Sequence, residues 1–356
     1  MSQTVPTSVQ GQIESLILKL RRRQLRDSTE IALQVTWVLR SVIASTRGNH
    51  ADALLDAVRA VGRRLELAQP TEVVVGNIVR RILYLIREEC HVIEQEQAAS
   101  TGARRPGEGD STYFIGDAPT TASTDYTKNL SDLKAIVRDS LKDLQDELET
   151  HESRIANEAL EHIHSNEIIM TLGNSRTVLA FLLKAAKTRR FQVIVAETAP
   201  SFDGHKMAKT LAQNNIDTTV INDSAIFAVM SRVNKVILGT HAVTVNGGLV
   251  ASAGVLTVAN AAKNHSVPVV VCCGLYKVSP IYPYDTEELE LCMSPEEVLG
   301  RSEGEFMEQT NVVNPSFEYV PPDLVALFIT NVGSHSPTYM YRLISEFYSK
   351  HDQSLN

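Results

Sequence analysis

The sequence predicts an α/β protein in which a helical N-terminal domain, residues 1–165, is joined to an open-sheet domain, residues 166–356. Up to Cys90 the apolar residues recur at spacings of three and four. From Asn166 onward short β-branched runs alternate with helix-like segments. At roughly 100–200 residues per domain, the 356 residues make two domains, and 43% hydrophobic content supplies both with a core. A chain this rich in aliphatics is not disordered throughout.

In the first half the stripes are Ile13, Leu16, Ile17 and Leu20; Ile31, Val35, Val38 and Leu39; Leu54, Leu55, Val58 and Val61; and Val74, Ile78, Ile82 and Leu85. Breaks at Arg26-Asp27-Ser28, Gly48-Asn49 and Gln69-Pro70-Thr71 separate four helices, with Asp27 or Ser28 and Thr71 as N-caps. Trp37 reads as core. Residues from about 98 to 125 are small, polar and punctuated by Gly and Pro, so a mobile surface loop is expected there, with Arg104-Arg105 serving solubility. Leu133, Val137, Leu141, Leu144 and Leu148 then continue a long amphipathic helix, or two in series, to about Ile163.

The second half carries strand runs at residues 168–171, 192–196, 218–221, 235–238 and 267–272, alternating with helical segments at 175–187, 205–214, 224–233 and 251–264. Runs apolar on both faces are what a helix-covered parallel sheet requires. A doubly wound, Rossmann-like, mostly parallel sheet follows.

A formal net charge of −8, from 34 Lys+Arg against 42 Asp+Glu, excludes a general electrostatic grip on nucleic acid or anionic membrane. No direct nucleic-acid or membrane contact is expected. Cys90, Cys272, Cys273 and Cys292 form no CxxC pair, so neither a zinc site nor a disulfide framework is read, but reduced buried thiols in a cytosolic protein. The N-terminal fifteen residues show no basic stretch followed by an apolar one, so no secretory signal is expected, and no apolar run reaches membrane-spanning length. Neither cofactor nor metal is implied.

In a doubly wound sheet, ligands sit outside the carboxyl ends of the strands. The loops there read Gly173-Asn174-Ser175-Arg176, Glu197-Thr198-Ala199-Pro200, Asp223-Ser224 and Gly239-Thr240-His241, followed by Asn246-Gly247-Gly248. Asn174, Ser175 and Arg176 either present helix N–H groups to an anion or cap their own helix, with Arg176 paired locally. Asn246-Gly247-Gly248 approaches a ligand or makes a tight turn between strand and helix. His241 is a general base or a loop histidine satisfied by backbone, and Cys272 and Cys273 are nucleophiles or inert buried thiols.

The blocks NEIIMTLGNSRTV, VIVAETAPSFDGHKMA, INDSAIFAVMSRVNKVILGTHAVTVNGG and FEYVPPDLVALFITNVGSHSPTYMYRLISEFY resemble the related alpha, beta and delta subunits of eukaryotic translation initiation factor 2B. Tyr319-Val320-Pro321-Pro322 and Ser336-Pro337-Thr338-Tyr339 in the last block are most similar to the beta branch. The resemblance implies a regulatory, non-catalytic subunit of a guanine-nucleotide exchange complex. Its implied partners are the alpha, gamma, delta and epsilon subunits and initiation factor 2, above all that factor's alpha subunit, whose phosphorylation the assembly senses.

The same fold resembles methylthioribose 1-phosphate and ribose 1,5-bisphosphate isomerases, which carry a catalytic Cys in Thr-x-Cys-Asn and a catalytic Asp in Gly-Ala-Asp-Arg. In this chain Gly173 stands at the first position and His241 at the second, and Ala199 replaces an Arg of Glu-Thr-Arg-Pro. Glycine neither gives nor takes a proton, so the acid/base pair of aldose–ketose isomerisation is missing. Gly173, Asn174, Ser175, Arg176, Glu197, Asp223, His241 and Asn246 therefore read as a vestigial ligand pocket with no catalytic residue. The rivals are an isomerase using His241 with Asp223, and a sugar-phosphate or nucleotide sensor.

Expected partner surfaces are Arg22 and Arg23 within the stretch 21–27, the long helix near 147–154, and assembly contacts at Asn166, Glu197, Tyr319, Tyr339 and Tyr341. A solvated helix face is the alternative for the arginines, and ordinary packing is the alternative for the aromatic C-terminus.

Overall fold

The computed structural model describes residues 7–25, 27–46, 50–100, 126, 132–284, 291–300, 304 and 310–352. It forms two compact units: Met1–Pro70 with Ile78–Asp146 and Tyr348–Asn356, and Thr71–Asn77 with Glu147–Phe347. This division differs from the split expected at 165/166. Asn331 donates to Glu147 at 2.8 Å and His151 packs edge-on against Tyr276 at 5.1 Å, which ties the end of the long helix into the second unit. The last residues are held in the first unit by ion pairs.

The helical unit is built from α1 (Thr7–Arg21), α2 (Ser28–Ser45), α3 (Ala51–Ala68), α4 (Val73–Ser100) from residue 78 onward and α5 (Leu133–Asn157) up to residue 146. All sixteen stripe residues named for the first four helices are buried. Each such side chain contributes about 1.5–3 kcal/mol on leaving water. Asp27 caps α2 by accepting from Thr29 N at 3.2 Å. Ala98–Ser100 belong to α4; the remainder of the loop expected at 98–125, with Arg104 and Arg105, lies outside the described residues. Trp37 is not core but 49% exposed. The expectation counts it within the apolar stripe of α2, but it stands off the 35, 38, 39, 42 line, which faces it to the surface.

Near the end of the described chain Asp352 is 1% exposed and accepts from Arg59 at 2.7 Å and from Arg87 at 2.8 and 3.2 Å. Arg87 also lies over the Tyr126 ring at 5.1 Å. Burial pushes the Asp352 carboxyl up, but the two arginines outweigh it and hold the group below its usual range.

In the second unit α6 (Ala159–His162) follows α5, and the α/β order begins: β1 (Ile168–Leu172), α7 (Arg176–Ala186), β2 (Gln192–Ala196), α8 (Asp203–Gln213), β3 (Asp217–Ile221), α9 (Ile226–Met230) and β4 (Lys235–Gly239). There follow β5 (Ala242–Val243), β6 (Leu249–Ser252), α10 (Val255–Asn264), β7 (Val269–Cys272), β8 (Phe317–Val320), β9 (Leu327–Thr330), β10 (Gly333–His335) and α11 (Met340–Phe347). The main sheet runs β10-β9-β7-β4-β1-β2-β3, all parallel except β10. Its core joins Ile169, Val193, Val195, Ile237, Val270 and Ile329 to Phe181 of α7. The expected doubly wound, mostly parallel sheet is present.

A second sheet, β5-β6-β8, was not expected. Ala251 and Ser252, assigned to a helix from the sequence, lie in β6, and the helix begins only after Gly254 at φ +100°. Asn246-Gly247-Gly248 accordingly turns between two strands rather than between strand and helix. Among the described residues no helix is long and apolar enough to cross a membrane.

Candidate functional site

The strand order reverses between β1 and β4, and the crevice at such a switch point is where a doubly wound sheet receives ligand. Gly173 follows β1 at φ +73°, a conformation that suits glycine. Ser175 caps α7, its Oγ accepting from Val178 N at 3.4 Å, and Arg176 pairs with Glu152 at 3.3 Å. Capping and local pairing thus account for both side chains. Asn174 is exposed. Across the switch, a Cβ at Gly239 would stand 2.4 Å from Ser175 Oγ, so the two loops meet with no room to spare.

His241 leaves the end of β4 for the interior. Its ring stacks on Phe317 at 4.3 Å and 21°, and its Nε2 lies 3.7 Å from Glu72 Oε1, with both side chains about a tenth exposed or less. Burial first, and then the cation of Lys277, lower its pKa to about 4, against a backbone hydrogen bond with Thr71 that raises it. The imidazole is neutral at physiological pH. Lys277 is anchored nearby, donating to Thr240 O at 3.0 Å.

Asp223 does not face His241 as an acid/base partner. Its two carboxylate oxygens accept from Thr198 N at 3.0 Å and Ala199 N at 2.7 Å, which fixes the loop after β2. In the same loop Glu197 lies 3.8 Å from His205. A Cβ at Gly204 would fall 2.0 Å from Ala196 O, so the start of α8 sits directly on the end of β2. Glu72, Phe317 and Lys277 are the groups that surround His241, and sequence reasoning missed all three. Thr71, next to Glu72, is expected from the sequence only as a helix N-cap.

Asn246 belongs to the small sheet. Its Oδ1 accepts from Thr244 Oγ1 at 2.7 Å and Gly248 N at 3.0 Å, and its Nδ2 donates to the Tyr319 hydroxyl at 2.9 Å. Cys272 and Cys273 are each 1% exposed, and burial pushes both thiols up, Cys273 to about 12, so neither is a nucleophile. Cys90 is also buried, whereas Cys292 is exposed, against expectation. Its backbone bridges to Pro315.

The expected contact residues are dispersed. Arg22 and Arg23 are exposed where α1 closes: Arg23 takes φ +49° and donates to Leu20 O, and Gln24 donates to Lys19 O. Asn166 is an exposed turn residue at φ +65° that donates its backbone N–H to Arg190 O at 2.8 Å. Tyr341 is 66% exposed and Tyr339 stacks on His335 at 5.1 Å, while Phe328 and Tyr348 are buried. Within 147–154, Glu147 and Glu152 have partners in their own unit and Arg154 is exposed.

Fold and crevice together describe a doubly wound α/β chain preceded by a helical arm, and the chain belongs to the initiation factor 2 subunit family, whose model matches residues 24–337. Within that family its similarity is to beta subunits: it is 44% identical over 370 aligned positions to translation initiation factor eIF2B subunit beta of Dictyostelium discoideum, covering 95% of each chain. The crystal structure of eIF2B beta from Chaetomium thermophilum superposes with a TM-score of 0.73 at 32% identity, over 97% of this chain and 94% of that one. A chain of the tetrameric eIF2B-beta2-delta2 complex from C. thermophilum gives 0.71 at 30%, over 96% of both. Ribose 1,5-bisphosphate isomerase of Archaeoglobus fulgidus is 31% identical over 209 positions, 56% of this chain and 63% of that protein.

Proposed function

We propose that the chain is the regulatory, non-catalytic beta subunit of the translation initiation factor 2B guanine-nucleotide exchange complex, which it scaffolds while sensing phosphorylation of the alpha subunit of initiation factor 2. The observation that carries this reading is the similarity to beta subunits along 95% of both chains. The tetramer named beta2-delta2 supports the delta subunit as a neighbour, and the alpha, gamma and epsilon subunits complete the set of partners, in the cytosol. A subunit switches such an assembly only by binding its two states with different affinity.

The partial identity to an isomerase favours a second reading, a sugar-phosphate isomerase or a sugar-phosphate or nucleotide sensor. Against turnover stand Gly173, which has no side chain, and His241, which is neutral and already packed on Phe317. GDP release from initiation factor 2 distinguishes the readings. Reconstituted complex containing the chain is expected to be inhibited by phosphorylated factor, and complex lacking it is not. Turnover of ribose 1,5-bisphosphate by the chain alone, abolished in His241→Ala, would instead establish the isomerase.

A further inference from the structure

Between α1 and α2 of the helical unit lies a groove of about 350 Å³ whose walls include Gly11, Gln12 and Lys19 of α1 and Gln34 and Trp37 of α2. Three features of it work against folding. Trp37, the only tryptophan of the chain, keeps 49% of its surface in water. Gly11 sits inside a helix, where glycine costs about 1 kcal/mol relative to alanine, yet a Cβ there would meet nothing within 4 Å. Among the described residues nothing hydrogen-bonds the buried Gln12 Oε1, and a buried acceptor left so costs about 1–3 kcal/mol.

One kind of occupant would offset all three. An apolar side chain covers the indole, a main chain passes over Gly11, and an N–H reaches Gln12. Tryptophan in such a setting is the residue most enriched at the energetic centre of protein interfaces. The charge of the groove selects the sign of the occupant: among the described residues Lys19 is the only charged group in its lining, α1 ends at Arg21 with Arg22 and Arg23 directly after it, and Glu14 on the same helix is paired with Arg64. One lysine in a chain of net charge −8 is too little for a nucleic acid.

We propose that the α1–α2 groove docks an acidic segment of a partner protein, which inserts one aromatic or leucine side chain against Trp37 and sets its carboxylates toward Lys19. The single tryptophan makes the test direct, because all tryptophan emission of the chain reports on this groove. The full chain is titrated with a synthetic peptide Asp-Asp-Phe-Asp-Asp-Leu-Leu and with its counterpart carrying Lys for Asp. The acidic peptide is expected to produce a saturable change in emission. Binding is expected to be at least tenfold weaker for the Lys peptide, for Lys19→Glu and for Gly11→Leu, with circular dichroism confirming that both variants fold. Equal response to both peptides, affinity retained in Gly11→Leu, or no saturable change up to about 1 mM would overturn the proposal. So would binding that emerges only once residues 107–117, which include Glu108, Asp110 and Asp117, are deleted, since that segment of the same chain would then be the occupant.

Discussion

The carboxamide of Asn246 donates to the hydroxyl of Tyr319 at 2.9 Å, closing the β5–β6 turn onto β8. The sequence alone points these two residues to different surfaces, one to the ligand pocket and one to the assembly face. Their bond makes both part of a single structural joint, in which the Tyr319 ring lies over Gly248, where a Cβ would come within 2.4 Å of the hydroxyl. Tyr319→Phe is expected to cost about 1 kcal/mol and Gly248→Ala about 1–3 kcal/mol, read from urea unfolding. Equal stability of Gly248→Ala and the parent would remove the joint.

Asp352 carries the first unit's buried ion cluster. Removing one partner of such a cluster costs about 3–5 kcal/mol, so Asp352→Ala should unfold the helical unit at markedly lower urea. The folded carboxyl titrates below its ordinary value of 3.8. Its contribution is therefore complete above pH 3.8 and declines as pH falls through the lower folded value. An acid-unfolding profile that is the same in Asp352→Asn and the parent would contradict this.

His241 is shifted from 6.5 to about 4. Because the folded state resists protonation, its stabilising contribution is full above about pH 6.5 and is lost as pH falls toward 4. The loss amounts to roughly 3 kcal/mol from a shift of this size. Unfolding free energy measured across that window should slope less in His241→Phe, which retains the stack on Phe317 without a titrating ring.

Gly173 is held by conformation rather than by space. A Cβ there would meet only Thr198 Oγ1, at 4.0 Å, while φ is +73°. Gly173→Ala should cost about 1–2 kcal/mol, and Gly173→Asn, which tolerates left-handed backbone, less. Calorimetric melting temperatures order the two.

Five strands of the main sheet were legible because several of their runs are apolar on both faces and bounded by turn residues, as in Val269–Cys272 between Pro268 and Gly274, whereas β9 and β10 were not among the expected strands. The small sheet was not, because β6 pairs with β8 through partners such as Val250 and Tyr319, nearly seventy residues apart in the chain. The surroundings of His241 were hidden for the same reason: Glu72 and Phe317 come from opposite ends of the sequence. Trp37 misled because it sits between Val35 and Val38 and passes for part of their stripe, while the helical period turns it to the surface. Ser175 and Asp27 could be read as caps because a cap is decided within three residues.

Recovery of the tagged chain from its own cells, with mass-spectrometric identification of what accompanies it, tests the central claim most directly. Four further initiation factor 2B subunits are expected to accompany it, together with initiation factor 2. A stable self-dimer recovered alone, turning over a sugar phosphate, would contradict it.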